Sequence, residues 1–353
     1  MREFVSRVTR HRLFWPVAAL VALIAINAIA QPRFLKITIR DGQMYGALID
    51  VMRNSAPLML VALGMTIVIA TRGIDLSVGA IIAVSGAVAL TIIDGSDTPD
   101  AVPTVLIAVG AAILVSLILG VWNGFLVSTL GIQPIIATLV LMLAGRGIAL
   151  LITDGFITTV NSDPYKWIAT GYVVFLPVAF LIAMAAVAVV SLVERRTALG
   201  MLTEAVGINP EASRLAGVRS RGIVMGAYIA SGVLAGIAGI IVAGNTSAAD
   251  ANNAGLFIEL YAILAVVLGG TSLMGGKFSI AGTVIGVLIV TTLDSTIIFL
   301  GVAPARSPVF FAFAVILVVL LQSPAVHRFA RKFKTSKPSS VDEDTPTKAE
   351  VSA

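Results

Sequence analysis

Apolar runs of about 18 to 20 residues follow one another along most of the chain, and each can cross a hydrocarbon layer about 30 Å thick as a helix. The runs are continuous and do not alternate. They therefore predict spanning helices, which satisfy their own backbone polar groups in lipid, in preference to barrel strands. The expected fold class is all-α. The pattern places about ten spans, near 13–30, 56–71, 79–93, 104–122, 133–152, 173–192, 222–244, 261–275, 284–300 and 308–322.

Composition agrees. Of 353 residues, 58% are hydrophobic and 12% charged, against about 25% charged in an average soluble domain. A water-soluble fold cannot hide that much apolar surface. The absence of cysteine excludes disulfides, thiolate metal sites and cysteine nucleophiles. The net charge of +5 gathers in three places. Arg2, Arg7, Arg10 and Arg12 precede the first run, and Arg328, Arg331, Lys332, Lys334 and Lys337 follow the last. Arg195, Arg196, Arg214, Arg219 and Arg221 lie in the longest internal polar loop. The positive-inside rule turns all three toward the cytoplasm, which fits ten spans with both termini inside. The breaks 94–103 and 245–260 carry no Lys or Arg and fall outside. Gln31 to Ser55 is the exception, expected outside yet carrying Arg33, Lys36, Arg40 and Arg53.

The basic start followed by a run ending Ala28-Ile29-Ala30 also fits a secretory signal, although the length of that run favours a retained first span. The expected organisation is one transmembrane domain over 1–325 and a polar cytoplasmic tail over 326–353, disordered by composition.

Two breaks echo one another. Gly73-Ile74-Asp75-Leu76-Ser77-Val78-Gly79 and Gly270-Thr271-Ser272-Leu273-Met274-Gly275-Gly276 share Gly, Leu and Gly at the first, fourth and seventh positions. Each joins two short apolar segments. Glycine there permits a left-handed helix stop, and Asp75 or Ser272 can cap the next helix. Two capped turns, or the halves of an internal pseudo-repeat around a pathway, account for the pattern. Gly270 to Ser279 also approaches a phosphate-binding loop. The spacing to Lys277 is wrong, and Phe278 stands where a hydroxyl is needed. No nucleotide site, cofactor or metal is expected.

Catalysis is not expected either. The only histidines, His11 and His327, lie outside the first and last runs, and no G-x-S-x-G or H-E-x-x-H occurs. An ion-coupled secondary carrier, the alternative class, depends on intramembrane Asp, Glu or His relays. Asp75, Arg146, Glu259 and Asp294 are sparse material for one, which points to a passive conduit gated from elsewhere. The candidate pathway residues are Asp75, Asn123, Gln133, Thr138, Arg146, Asn252 and Asn253. Most are uncharged hydrogen-bonding groups suited to a neutral polyol, with interface anchoring as the competing reading. Arg146 either snorkels or lines a polar path, and Asp294 is flanked by hydroxyls that can satisfy it locally. Tyr165, Trp167 and Tyr172 read as an aromatic belt.

The loop 193–221 carries its own structural signals. Asn209 is a good N-cap, Pro210 fits the first helical position, Glu211 complements the dipole and Gly217 can end the helix. They predict a short helix outside the membrane. Glu204, Gly207, Asn209, Pro210, Glu211, Arg214 and Gly217 are the candidates for engaging a docked ATPase, the other reading being an interfacial helix with no partner.

From about residue 45 to 325 the chain resembles the permease subunits of ribose-type sugar importers of the ATP-binding-cassette class. The resemblance is carried by Gly73 to Gly79, Gly131-Ile132-Gln133-Pro134 through Gly145-Arg146-Gly147, Ala205 to Gly217, and Gly269 to Gly276. Within that family, Glu204 to Asn209, Asp250 to Leu256 and Ser272 to Gly276 are most similar to permeases of galactofuranose importers. The resemblance implies a bacterial inner-membrane protein that works with a cytoplasmic ATPase, a periplasmic sugar-binding protein and a second permease, in a heterodimer. The tail after Lys337 departs from the family pattern.

Overall fold

The computed structural model describes residues 13–31, 34–40 and 43–299, with 301, 309, 312, 313 and 316. The span expected at 308–322, the tail 326–353 and the two terminal basic clusters lie outside the described residues. Twelve helices are seen among them: α1 (Phe14–Ala30), α2 (Ala47–Ala70), α3 (Val78–Asp94), α4 (Val102–Ser128), α5 (Pro134–Ile152), α6 (Asp163–Thr170), α7 (Val178–Arg196), α8 (Leu199–Ile208), α9 (Pro210–Leu215), α10 (Ser220–Thr246), α11 (Ile258–Leu268) and α12 (Ile280–Phe299). Short antiparallel ribbons pair β1 (Thr38–Arg40) with β2 (Gln43–Tyr45), β3 (Thr158–Thr159) with β6 (Ala248–Ala249), and β4 (Tyr172–Val173) with β5 (Leu176–Pro177). The fold is all-α in its spanning part. Helices α2, α4, α5, α7, α10 and α12 are long and apolar enough to cross a membrane, and α1, α3, α8 and α11 are shorter apolar helices.

Helix α2 is the centre of the bundle. Every residue from Ser55 to Ala70 is buried, with α7, α10, α11 and α12 packed around it. A helix apolar on all sides is stable only in that position. Helix α4 is two-faced, with Leu106, Ile107, Leu114 and Ile118 exposed and Ala108, Ala112, Ser116, Gly120 and Gly124 forming a buried stripe of small residues. That stripe meets α10 at backbone distance. A Cβ at Gly232 would lie 2.8 Å from Gly120 Cα and 2.8 Å from the Ser116 carbonyl. Lipid supplies no hydrophobic drive between helices, so close backbone packing and interhelical hydrogen bonds do that work. Ser85 Oγ donates to the Gly236 carbonyl at 2.7 Å, Thr66 and Thr283 hydroxyls meet at 2.7 Å, and Asn27 Nδ2 donates to Thr296 Oγ1 at 2.8 Å, tying α1 to α12.

Several spans differ from the apolar runs. Helix α2 starts at Ala47, because Asp50, Arg53 and Asn54 interrupt the run without interrupting the helix. Arg53 and Asp50 pair along it at 3.5 Å, so Arg53 belongs to a helix and not to a charged loop. Helix α4 continues past 122 to Ser128, and α7 starts at Val178, after the β4–β5 ribbon. The largest difference is α11. It ends at Leu268, so its 11 residues rise only about 16 Å, half of the hydrocarbon thickness. Tyr165 is not in a belt: it is buried, with its hydroxyl donating to the Ile240 carbonyl at 3.2 Å, whereas Trp167 is exposed.

The small-residue seam makes a direct test. Gly232→Val drives a side chain into Gly120 and Ser116 and is expected to cost about 1–3 kcal/mol, read as a lower thermal midpoint in detergent. Gly110→Val on the same α4 helix, where a Cβ meets nothing within 4 Å, should leave the midpoint unchanged.

Candidate functional site

The last carbonyls of α2 need partners. Arg72 adopts a left-handed conformation (φ 66°), and the Gly73 N–H returns to the Val68 carbonyl at 2.9 Å, closing a Schellman stop. The stop falls at Arg72 and not at Gly73, as the glycine pattern suggested. A left-handed residue with a Cβ costs roughly 1–2 kcal/mol. The side chain explains why arginine is there: Nε donates to the Met274 carbonyl at 3.2 Å and Nη2 to the Ile208 carbonyl. Helix α11 ends the same way at Gly270 (φ 87°), with Thr271 N–H returning to Val266 at 3.2 Å. The two turns are therefore alike, with Arg72 opposite Gly270, one residue out of the register in which their sequences match.

The turns also touch. The Gly276 N–H donates to the free carbonyl of Ala70 at 2.9 Å. Gly207, near the end of α8, is wedged against both: a Cβ there would lie 1.8 Å from the Ala70 oxygen and 2.6 Å from the Gly276 nitrogen. Residues 70–73, 207–208 and 274–276 thus close on one point, which defines the junction end of the bundle.

From that point the chain enters α9 directly. Asn209 Oδ1 accepts from the Glu211 and Ala212 N–H groups at 3.1 and 3.0 Å, Pro210 is the first helical residue, and Gly217 is left-handed (φ 86°). Arg214 pairs with Glu211 at 2.6 Å, and its hydrogen bond and charge hold the Glu211 carboxyl below its ordinary range. The pair is fully exposed and adds little stability. Asn209, Pro210, Glu211, Arg214 and Leu215 make an exposed ridge. Glu204 and Gly207, expected in a loop, both belong to α8. Its signal was Thr197, whose hydroxyl accepts from the Leu199 N–H at 3.1 Å ahead of an apolar stretch.

The candidate pathway residues do not gather in one place. Asp75, buried between α2 and α3, accepts from Ser77 N–H and Ser77 Oγ at 3.0 and 2.6 Å and from Ser231 Oγ at 2.8 Å. Asn123, also buried, donates to Ser77 Oγ at 2.7 Å, and Thr138 Oγ1 reaches the Ile74 carbonyl at 3.3 Å. Together they fasten the α2–α3 turn to α4, α5 and α10. Asp75 closes its own turn and does not cap α3. Ser272 likewise accepts from Met274 N–H at 3.2 Å, while Ser279 takes the Gly282 N–H at 3.1 Å in the first turn of α12. Gln133 stands exposed at the start of α5.

Arg146 neither snorkels nor stands free. Its Nη1 donates to the carbonyls of Ala251, Asn252 and Ala254 at 2.9, 3.3 and 2.7 Å, with Asp250 and Glu259 within electrostatic reach. It pins the non-helical segment 250–257, which folds inward until Gly255 lies against Gly79 and Ile82 of α3. Asn252 and Asn253 are exposed on that segment. Asp250 accepts from Asn253 Nδ2 at 2.7 Å, and this bond, with Asn252 and Asn253 backbone N–H groups and the Arg146 charge, holds its carboxyl below the ordinary range.

Two substitutions separate strain from contact at the junction. Gly207→Ala should force 205–217 and 270–276 apart, seen as faster deuterium uptake in both segments together with a lower thermal midpoint. Arg72→Gly relieves the left-handed residue while deleting both clamp bonds, so the midpoint should stay near the parent value while exchange at 205–210 and 272–276 accelerates.

The comparisons with known proteins agree with this architecture. The family model described as branched-chain amino acid transport system / permease component matches residues 47–320. The galactofuranose transporter permease of Escherichia coli is 46% identical over 321 residues, covering 89% of this chain and 92% of that protein. The fructose import permease of Bifidobacterium longum is 42% identical, covering 95% and 94%, and the ribose import permease of Haemophilus influenzae is 35% identical, covering 86% and 90%. No solved structure matches the chain significantly. The family match over residues 47–320 and relatives aligned over 86–95% of the chain leave one conclusion: this chain belongs to that permease family, and it is a multi-pass transport subunit, not an enzyme.

Proposed function

We propose that the chain forms the translocation pathway of an ATP-driven importer for a neutral monosaccharide. The observation that carries the reading is the junction. Helix α9 is exposed, capped at its start, and continuous with Gly207, which touches the turn between α2 and α3 and the turn between α11 and α12. A motor that shifts α9 therefore acts on both helix pairs at once. The junction end is then cytoplasmic, as the arginines of 195–221 favour, and both termini lie on that side. The opposite end, with 247–257, receives sugar from a periplasmic binding protein.

The substrate class draws on relatives named for galactofuranose, fructose and ribose, and galactofuranose is the narrowest form of the proposal. The pore is a heterodimer with a second, related permease. An ion-coupled carrier finds less support, because Asp75 is spent on Ser77 and Ser231 and, among the described residues, belongs to no chain of hydrogen-bonded titratable groups across the bundle.

Extraction in mild detergent should yield this chain with an ATPase and a second permease. Replacing Pro210-Glu211 by Gly-Gly removes the preset first turn and the dipole partner, each on the order of 1 kcal/mol. The variant should reach the membrane at normal level while sugar uptake and binding-protein-stimulated ATPase activity fall together. Uptake by the chain alone in liposomes under an ion gradient would instead establish a secondary carrier.

A further inference from the structure

At the end of the bundle away from the junction, α2, α10, α11 and α12 part around a cavity of about 280 Å³, close to the lower bound of roughly 300 Å³ for small-molecule sites. Among the described residues its polar lining is Asn54, Asn253, Tyr261, Thr291 and Asp294. Its floor is unusual for a membrane protein. The segment 250–257 brings non-helical backbone into the bundle, and such backbone is tolerated at membrane depth only where it is buried in protein or lines a water-filled cavity. Arg146 fixes that segment by three carbonyls, so Asn253 and Gly255 are held at the cavity and not left on a loose loop.

Asp294 lies within the spanning helix α12, where a carboxylate is costly and rarely without purpose. The neighbouring hydroxyls do not satisfy it, contrary to the sequence expectation. Thr291 donates to Val287, Thr292 to Leu288 and Thr296 to Thr292, all carbonyls of the same helix. Asp294 and Asn54 are exposed where they line the cavity; among the described residues neither the carboxylate nor the amide makes a hydrogen bond within the chain, and no Lys, Arg or His lines the cavity. Tyr261 stands within electrostatic reach of the carboxylate. A carboxylate, two amides and a phenol ring around a small space match a pyranose or furanose. Such a sugar has hydroxyls that can donate to the carboxylate, a ring oxygen and hydroxyls that can accept from the amides, and an apolar face that can lie on the aromatic ring. The same carboxylate repels a phosphate or a uronate.

We propose that this cavity is the sugar-holding site of the permease itself, with Asp294 as the residue that admits neutral monosaccharides and turns away anionic ones. It deepens the importer reading and rests on it. The test uses the whole importer in proteoliposomes with D-galactose, D-fructose and D-ribose as probes, and it measures sugar accumulated per ATP hydrolysed. Asp294→Ala, and Asn54→Ala on a different helix, should each lower that ratio by about ten- to a hundredfold, the effect of losing hydrogen bonds to a charged or buried partner. Stimulation of ATP hydrolysis by the loaded binding protein should persist, since the junction is untouched. A merely structural role would lower both activities together and leave the ratio unchanged. An unchanged ratio in either variant, while the parent complex imports sugar, overturns the cavity and leaves the importer reading standing. A parent complex that moves none of the three sugars overturns both.

Discussion

The carbonyl oxygen of Ala70 is the point on which the junction end of this protein depends. A helix that stops inside a packed bundle cannot leave its last carbonyls to water, and each bare buried group costs several kcal/mol. Ala70 is met by the N–H of Gly276, from a turn more than two hundred positions away in sequence. For that bond to form beside α8, position 207 can carry no Cβ. For the turn to be clamped, α2 must end on a side chain long enough to reach Ile208 and Met274, so an arginine occupies a conformation that glycine would adopt without strain. Asn209 follows Gly207 by two residues, so the start of α9 is placed by the same contact.

Away from the junction, backbone contact at small residues divides the bundle into stiff parts. Gly120, Gly232 and Gly236 bind α4 to α10, and Gly86 and Gly239 bring α3 onto α10 as closely. On the other side Gly282 abuts the Gly269 carbonyl and Gly286 the Ala265 carbonyl, welding α11 to α12. Helix α2 runs between these two assemblies and carries the Ala70 contact at one end and Asn54 at the other. Close-packed interiors transmit displacement because they do not compress. A shift imposed beside Ala70 therefore has a mechanical route to the cavity.

How much of this the sequence disclosed depended on whether the determining interaction was local. The class of fold was legible because apolar runs are set by the bilayer and not by partners. Helix α9 was legible to the residue, since Asn209, Pro210 and Gly217 act on neighbours within a turn. Helix α8 was missed because its buried face, Thr203, Val206 and Gly207, is apolar only relative to distant segments. The shortness of α11 was hidden because its apolar run continues through Leu273 and Met274, whereas the helix stops at the left-handed Gly270 with Thr271 N–H returning to Val266. Tyr165 looked like an interface residue until Ile240 supplied its acceptor. The candidate pathway residues were chosen by type. Type distinguishes a polar group from an apolar one, but not a group whose partner is its own protein from one left for a ligand.

That last distinction organises the ionisable groups inside the bundle. Two non-helical segments reach into the bundle, 71–77 and 250–257, and each is held by one ionisable side chain. Asp75 gathers the donors of Ser77 and Ser231 at the first, and Arg146 donates to three carbonyls at the second. Fixed dipoles surround both groups, and Arg146 also has Asp250 and Glu259 within electrostatic reach. Both therefore hold backbone in place: Asp75 accepts from Ser77 and Ser231 through its two oxygens, and Arg146 donates to three carbonyls through one nitrogen. Asp294 differs in kind. Its helix is regular, no turn requires it, and the hydroxyls of Thr291, Thr292 and Thr296 are committed to carbonyls of the same helix. A carboxylate kept in a spanning helix without a structural task has its energetic justification in what enters the space beside it.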